Sequence, residues 1–178
     1  MRVIAGELRS RRLKSIPGLA TRPTPDRLRE TLFDILGSRV EGAVFLDAYA
    51  GTGAVGIEAI SRGAARAIFI ERSKAAQRVL RENLARLGIE GRAVVAPGAA
   101  ASLIPRYKAG IVFLDPPYER ESEYGKVLDL MCENPPELVI AQHSVRLMLP
   151  ETWGPLVRTR IVRQGDNALS IYAPAPRY

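Results

Sequence analysis

The 178 residues include one cysteine, Cys132, and one histidine, His143. No disulfide framework, zinc cluster or Cys–His nucleophilic pair can be assembled from these within one chain, so chemistry that needs such groups is excluded. Cys132 is expected to act as a small buried hydrophobe, and His143 to have a structural or surface role. No apolar run approaches the roughly 20 residues of a membrane span. The opening MRVIAGELRSRR also lacks the apolar core of a secretion signal. These absences lead us to expect a cytoplasmic protein with no membrane partner. Internal repeats and low-complexity tracts are missing as well.

Acidic residues are scarce at the start of the chain. Residues 1–29 hold Glu7 and Asp26 against Arg2, Arg9, Arg11, Arg12, Lys14, Arg22, Arg27 and Arg29, whereas the remainder is nearly neutral. Concentrated arginine is the footprint of a polyanion ligand, because each cation placed on a phosphate releases condensed counterions. A solvated basic tail is the plainer alternative. Arginine's planar fork, better matched to phosphate than a lysine ammonium, favours nucleic acid.

With 47% hydrophobic residues the chain can bury one good core and is too short for two. We expect a basic extension over residues 1–22, folded as a hairpin of two short strands around Gly6–Ser10, and a main domain over 23–178. A helix should follow, with Thr24 as its cap, Pro25 at its first position, and Leu28, Leu32, Phe33 and Leu36 at helical spacing. From Ala43 onward apolar runs alternate with helical patterns: strands at AVFLDA, AIFIE, RAVVA, GIVFLD and LVIA, with helices between them. Alternation of this kind predicts an α/β fold around a mostly parallel sheet covered on both faces. LVRTRIVRQG and NALSIYA, joined at Gln164–Asn167 with no helix between, predict an antiparallel hairpin at the end. That leaves one antiparallel strand on an otherwise parallel sheet. Trp153, between prolines, is expected to pack in a loop.

The first strand runs into DAYAGTGAVG, where Gly51, Gly53 and Gly56 follow Asp47 and open a helix. Glycines let a ligand approach the helix N-terminus without meeting a Cβ. Glu71, 20 residues beyond Gly51 at the end of the second strand, can accept hydrogen bonds from ribose hydroxyls. A dinucleotide and S-adenosylmethionine both fit these features. Asp47 favours the methyl donor, since a carboxylate suits its ammonium group and would repel a pyrophosphate. The strand end FLDPPYERE points the same way. Asp115 there is followed by Pro116, Pro117 and Tyr118, which offer acceptors while removing two backbone N–H donors. An ordinary turn is the bland reading of those prolines. In an open α/β sheet the fourth strand lies beside the first, so both motifs would face one cleft.

The chain resembles the RsmD-type 16S rRNA guanine-N2 methyltransferases. The similarity runs from MRVIAGELRSRRL through TRPTPDRLRETLFDIL, FLDAYAGTGAVGIEAISRGA, FIERS and VFLDPPYE to QGDNALSIY. It implies a class I S-adenosylmethionine-dependent methyltransferase fold, Rossmann-like, with a seven-stranded sheet. The implied donor is S-adenosyl-L-methionine and the acceptor a guanine N2 of 16S ribosomal RNA in a small-subunit assembly intermediate; a monomer is expected. Donor binding would use Asp47, Ala48, Tyr49, Ala50, Gly51 and Gly53 for the amino acid portion, Glu71 for the ribose and Arg72 over the adenine. Asp115 would face the donor's methyl group. Two departures stand out. Where the family carries an acid after the third strand, this chain reads APGAA, leaving backbone at Gly98 and Ala99 to bind the adenine edge. His143 stands where an acid is common after the fifth strand.

In this reading Asp115 and the Pro116 carbonyl each accept one amino N–H, Pro117 helps hold that carbonyl outward, and Tyr118 stacks on the base. Arg2, Arg9, Arg11, Arg12, Lys14 and Arg27 would grip RNA backbone, with Arg22 and Thr24 reaching either RNA or the donor's carboxylate. Other readings stay open. An adenine-N6 or DNA methyltransferase would use the same DPPY geometry, a non-catalytic ribosome-assembly module would keep only the fold and basic arm, and a nicotinamide oxidoreductase would bind NAD.

Overall fold

The computed structural model describes residues 1–17 and 24–176. Five parallel strands form the centre of one sheet: β1 (Val44–Asp47), β2 (Arg66–Glu71), β3 (Ala93–Pro97), β4 (Ile111–Leu114) and β5 (Leu138–Ser144). Three more follow, β6 (Thr152–Trp153), β7 (Leu156–Gln164) and β8 (Asn167–Pro174), giving the order β3-β2-β1-β4-β5-β8-β7-β6. The order reverses between β1 and β4, which are paired in register from Phe45 with Ile111 to Asp47 with Phe113. Ligands of open α/β sheets bind at such a reversal, outside the carboxyl ends of the strands.

The sheet has eight strands, not seven, because the short edge strand β6 pairs with β7 and carries Trp153 out of its expected loop. Two strands run against the parallel set: β8, antiparallel to β5 and β7, and β6, antiparallel to β7. A two-residue strand is too brief to leave an alternating pattern in the sequence. Trp153 donates its ring N–H to Asp129 at 2.6 Å.

Side chains alternate between the two faces, as strand geometry requires. Leu46, Ile68, Val112, Leu114, Val139 and Ala141 pack toward α4 (Ala100–Leu103) and α5 (Ser122–Met131). Phe45, Ile111, Phe113, Leu138 and Ile140 pack toward α1 (Asp26–Leu36) and α2 (Ala54–Ser61), while Ala67 and Phe69 pack toward α2 and α3 (Lys74–Leu87). α1 buries Leu28, Leu32, Phe33 and Leu36, the stripe its spacing predicted. Its cap differs from expectation. Pro25 itself occupies the cap position, accepting the Leu28 and Arg29 N–H groups, and the helix begins at Asp26. Thr24 is buried instead of capping.

The expected N-terminal hairpin is present as a short one: an antiparallel bridge joins Arg2 and Arg12, flanked by bonds from Val3 N–H to Arg11 C=O, Ser10 N–H to Val3 C=O and Leu13 N–H to Met1 C=O, each at 2.9 Å. Val3, Leu8 and Leu13 insert into the core among Ile57, Ile60, Leu80 and Leu84. Glu58, fully buried on α2, accepts the Ile4 and Ala5 N–H groups at 2.8 and 3.0 Å and the Arg62 Nε–H at 2.9 Å. Arg29 is not part of the basic surface. It is fully buried 3.9 Å from Glu58 and donates to the Arg2 carbonyl at 2.6 Å and to Asp26 at 3.0 Å. Burial lowers its pKa, against the raising influence of Glu58 and Asp26.

Removing one partner of a buried ion pair strands the other charge, at a cost of about 3–5 kcal/mol. Glu58→Ala is therefore expected to destabilise the fold by about that amount in urea titration, with the N-terminal segment released to proteolysis. A loss under about 1 kcal/mol would show that Glu58 does not hold the segment.

Candidate active site

The glycine loop is built around two carboxylates. Asp47 ends β1 and is 2% exposed, and it accepts N–H bonds from Gly56 at 3.2 Å and from Tyr49. Glu71 ends β2 and accepts from Gly51 N–H and Ser73 N–H, each at 2.7 Å. The loop is thus tied to both neighbouring strand ends before any ligand arrives. Gly53 has φ +92°, and a Cβ at Gly56 would meet the Phe69 ring at 2.3 Å, so neither position tolerates a side chain without movement. Ala48 and Ala50 are buried beneath this loop, and Tyr49 turns toward α5, where its hydroxyl donates to Glu123 at 3.1 Å.

Burial pushes the Asp47 carboxyl up to about 7, with the charges of Asp115 and Glu71 adding to the effect and the backbone bonds opposing it. Asp115, just past the end of β4, is likewise pushed by burial to about 7, and a hydrogen bond from Thr24 pulls in the opposite direction. Each Asp follows, at alternate spacing, a residue packed against α1 (Phe45 or Phe113), so both acids point to the same face. The two expected motifs thus end adjacent strands on one face of the sheet.

After Asp115, the backbone N–H of Arg120 donates to Pro117 C=O at 2.8 Å, starting a short 3₁₀ turn over Tyr118–Arg120. Among the described residues no N–H is directed to the Pro116 carbonyl. Tyr118 is 52% exposed, with its hydroxyl donating to Asn167 Oδ1 at 2.8 Å, so the ring is anchored at its tip and open on a face. Beside it lies a cleft of about 220 Å³ lined by Tyr118, Ser144, Val145, Arg146 and Asp166.

Gly98 follows β3 with its N–H already given to the Glu71 carbonyl at 3.1 Å, and the Ala99 carbonyl receives Ser102 and Leu103 N–H groups. Gly98 has φ +150°, and a Cβ there would lie 2.9 Å from Leu103 Cδ1. That backbone accounts for glycine where an acidic side chain is expected. Arg72 is exposed at the end of β2. His143 is buried on the opposite face from Asp115, and its ring nitrogens meet Ser144 C=O and Ser170 Oγ at 2.8 Å each. Burial lowers its pKa, and the role is structural. Cys132 is only half-buried.

Of the residues assigned to RNA, Arg2, Arg9, Arg11, Arg12, Lys14 and Arg27 are exposed, and Arg22 lies outside the described residues. Lys14 is ion-paired with Glu82 at 2.7 Å, and Arg11 donates to the Arg86 carbonyl at 3.1 Å. Thr24 faces Asp115 instead of solvent. Sequence reasoning missed Arg78 and Arg86, exposed on α3 beside the same segment. Their eight-residue spacing on one helical face was the available signal. It also missed Asn83, which accepts the Lys14 N–H at 2.8 Å and donates to the carbonyls of Lys14 and Thr52, joining the basic segment to the glycine loop.

The family model described as conserved hypothetical protein 95 matches residues 1–173. Ribosomal RNA small subunit methyltransferase D of Escherichia coli K12 is 42% identical over 121 residues, which is 67% of this chain and 61% of that protein. The solved structure of yhhF from Escherichia coli superposes with a TM-score of 0.84 at 32% identity, covering 99% of each chain. An RNA methyltransferase from Salinibacter ruber, solved with S-adenosyl-L-homocysteine, shares the fold at a TM-score of 0.70 and 19% identity, over 88% of this chain and 96% of that one. A Rossmann-like methyltransferase sheet whose glycine loop and DPPY segment follow adjacent strands, together with a match over nearly the whole length, places this chain in the RsmD family of methyltransferases.

Proposed function

We propose that the protein transfers a methyl group from S-adenosylmethionine to the exocyclic N2 of a guanine in small-subunit (16S) ribosomal RNA. The observation that carries this reading is the pairing of β1 with β4, which sets the glycine loop beside a strand tip that offers acceptors and no donors. When bound, the donor supplies an electrophilic methyl group. The residues present fit it. Glu71 retains lone pairs for ribose hydroxyls while holding Gly51, and Gly51 and Thr52 are partly exposed ahead of α2. Asp47 acts from beneath the loop, where a cationic ammonium would favour its ionised form. The Gly98 carbonyl and Ala99 N–H suit the adenine edge, and Arg72 its face.

Guanine N2 is a weak nucleophile because its lone pair is delocalised into the ring. Asp115 and the Pro116 carbonyl each accept one of its N–H groups, which aims the lone pair at the methyl group; as the N–C bond forms and the methyl–sulfur bond breaks, they stabilise the positive charge on nitrogen, and the Asp115 carboxylate takes the N–H proton that leaves. Tyr118, fixed by Asn167, stacks on the flipped base. Residues 1–22 serve as the RNA-contacting extension of a monomeric cytoplasmic enzyme. Their basic side chains, joined by Arg78 and Arg86, position RNA by its phosphates.

Mass spectrometry of small-subunit RNA methylated by the purified protein tests the target. N2-methylguanosine is expected, whereas N6-methyladenosine or no product would overturn the reading. Asp115→Asn should lower kcat about 10²–10³-fold. The wild-type rate should rise with pH through about 7 as Asp115 ionises, and that limb should vanish in the variant. Stability should move the other way. The folded protein keeps these protons to about pH 7 and the unfolded chain releases them near 3.8, so unfolding becomes easier as pH rises between those values. Replacing Arg9, Arg11 and Arg12 together with alanine should weaken RNA binding and flatten its salt dependence by about two to three charges, with donor affinity by calorimetry unchanged. Unaltered RNA affinity would remove the segment from RNA recognition.

A further inference from the structure

The α1 face of the sheet is apolar through Phe113, Ile140 and Leu169, then turns polar at its carboxyl end. Leu114 pairs with Ala141, and one residue further the register sets Asp115 beside Gln142. Gln142 follows Leu138 and Ile140 at alternate positions on β5 and pairs with Leu169, all three of which pack toward α1. Its side chain therefore shares the face of Asp115 and Thr24. Asn167, which takes the Tyr118 hydroxyl, pairs with Ser144 two residues on and shares that face too. Gln142 is 5% exposed, and its Oε1 is buried with no hydrogen-bond partner among the described residues.

Buried acceptors are almost always paired, and an orphan one is costly to the fold. Among the described residues no group donates to this oxygen. The Pro116 carbonyl and the ionised Asp115 are acceptors, the Thr24 hydroxyl is directed to Asp115, and neither the Asn167 amide N–H groups nor the Ser144 hydroxyl is bonded to it. A donor arriving with the substrate resolves the arrangement. Guanine presents N2–H and N1–H side by side, two donor positions matched to two adjacent acceptors. Adenine places an acceptor, its N1, next to its amine.

We infer that Gln142 is a specificity-determining residue whose Oε1 accepts the N1–H of the target guanine while Asp115 holds the neighbouring amine. This rests on the guanine-N2 reading above and supplies what the DPPY strand end lacks, a group that distinguishes guanine from adenine.

The test compares an RNA fragment carrying the mapped target guanosine with one carrying 2-aminopurine there, which keeps the N2 amine and loses N1–H. The wild type should prefer guanosine by about 100-fold or more in kcat/KM. Gln142→Leu should lose about 10- to 100-fold on guanosine and nearly all of that preference, with donor affinity by calorimetry unchanged. Gln142→Glu, which keeps an acceptor oxygen at the same reach, should retain the preference. Gln142→Asn, which withdraws the oxygen by one methylene, should relax it and serves if the leucine variant does not fold. Undiminished preference in the leucine and asparagine variants, or a wild type that accepts both bases alike, would overturn this inference and leave the proposed function standing. A wild type that methylates neither RNA would remove both.

Discussion

The parallel pairing of β1 with β4 is the constraint on which the site depends. It sets Asp47 and Asp115 at neighbouring strand ends, on one face and largely out of water, where burial raises the cost of ionising both and the Asp115 charge adds to that of Asp47. Two carboxylates placed this way are poised near neutrality rather than held firmly charged. A cationic ligand group and an incoming amine are the partners that would relieve the strain. The backbone N–H groups of Gly56 and Tyr49 and the hydroxyl of Thr24 moderate it in the meantime.

A second set of buried polar groups attaches the basic segment. Glu58, Ser61 and Asn83 receive backbone N–H groups of Ile4, Ala5, Leu8 and Lys14, so the segment is held by its main chain and by Val3, Leu8 and Leu13. Most of its charged side chains are left facing outward. Such a division suits phosphate binding, because side chains that meet a polyanion need not also secure the fold. Asn83, bonded to both Lys14 and Thr52, makes this segment and the glycine loop parts of one rigid surface.

The order of the strands and helices, the glycine loop, the DPPY strand end and the terminal hairpin were all legible from residue types and periods. These features are local, and a period of 2.0 or 3.6 reports a backbone directly. Within the site, Asp47 and Asp115 could be paired in advance because the strand order of open α/β sheets is narrowly constrained. β6 was hidden by its brevity. The roles of Thr24, Arg29, Asn83 and Gln142 were hidden for a different reason, since each acts through a partner distant in sequence: Asp115, Glu58, Lys14 and the register of β4 with β5.

Arg29 shows the boundary between the two kinds of information. By composition it belonged with the exposed cations around it, yet its position on the apolar stripe of α1 carries it into the core beside Glu58. The sequence by itself determined which elements form, where the chain turns, and which chemical groups end the strands, because these follow from short-range sterics and hydrophobic period. Only the tertiary structure decided which charges are buried and which acceptor stands next to Asp115. Those outcomes depend on strand order, register and the low dielectric that packing creates, none of which exists until distant segments have come together.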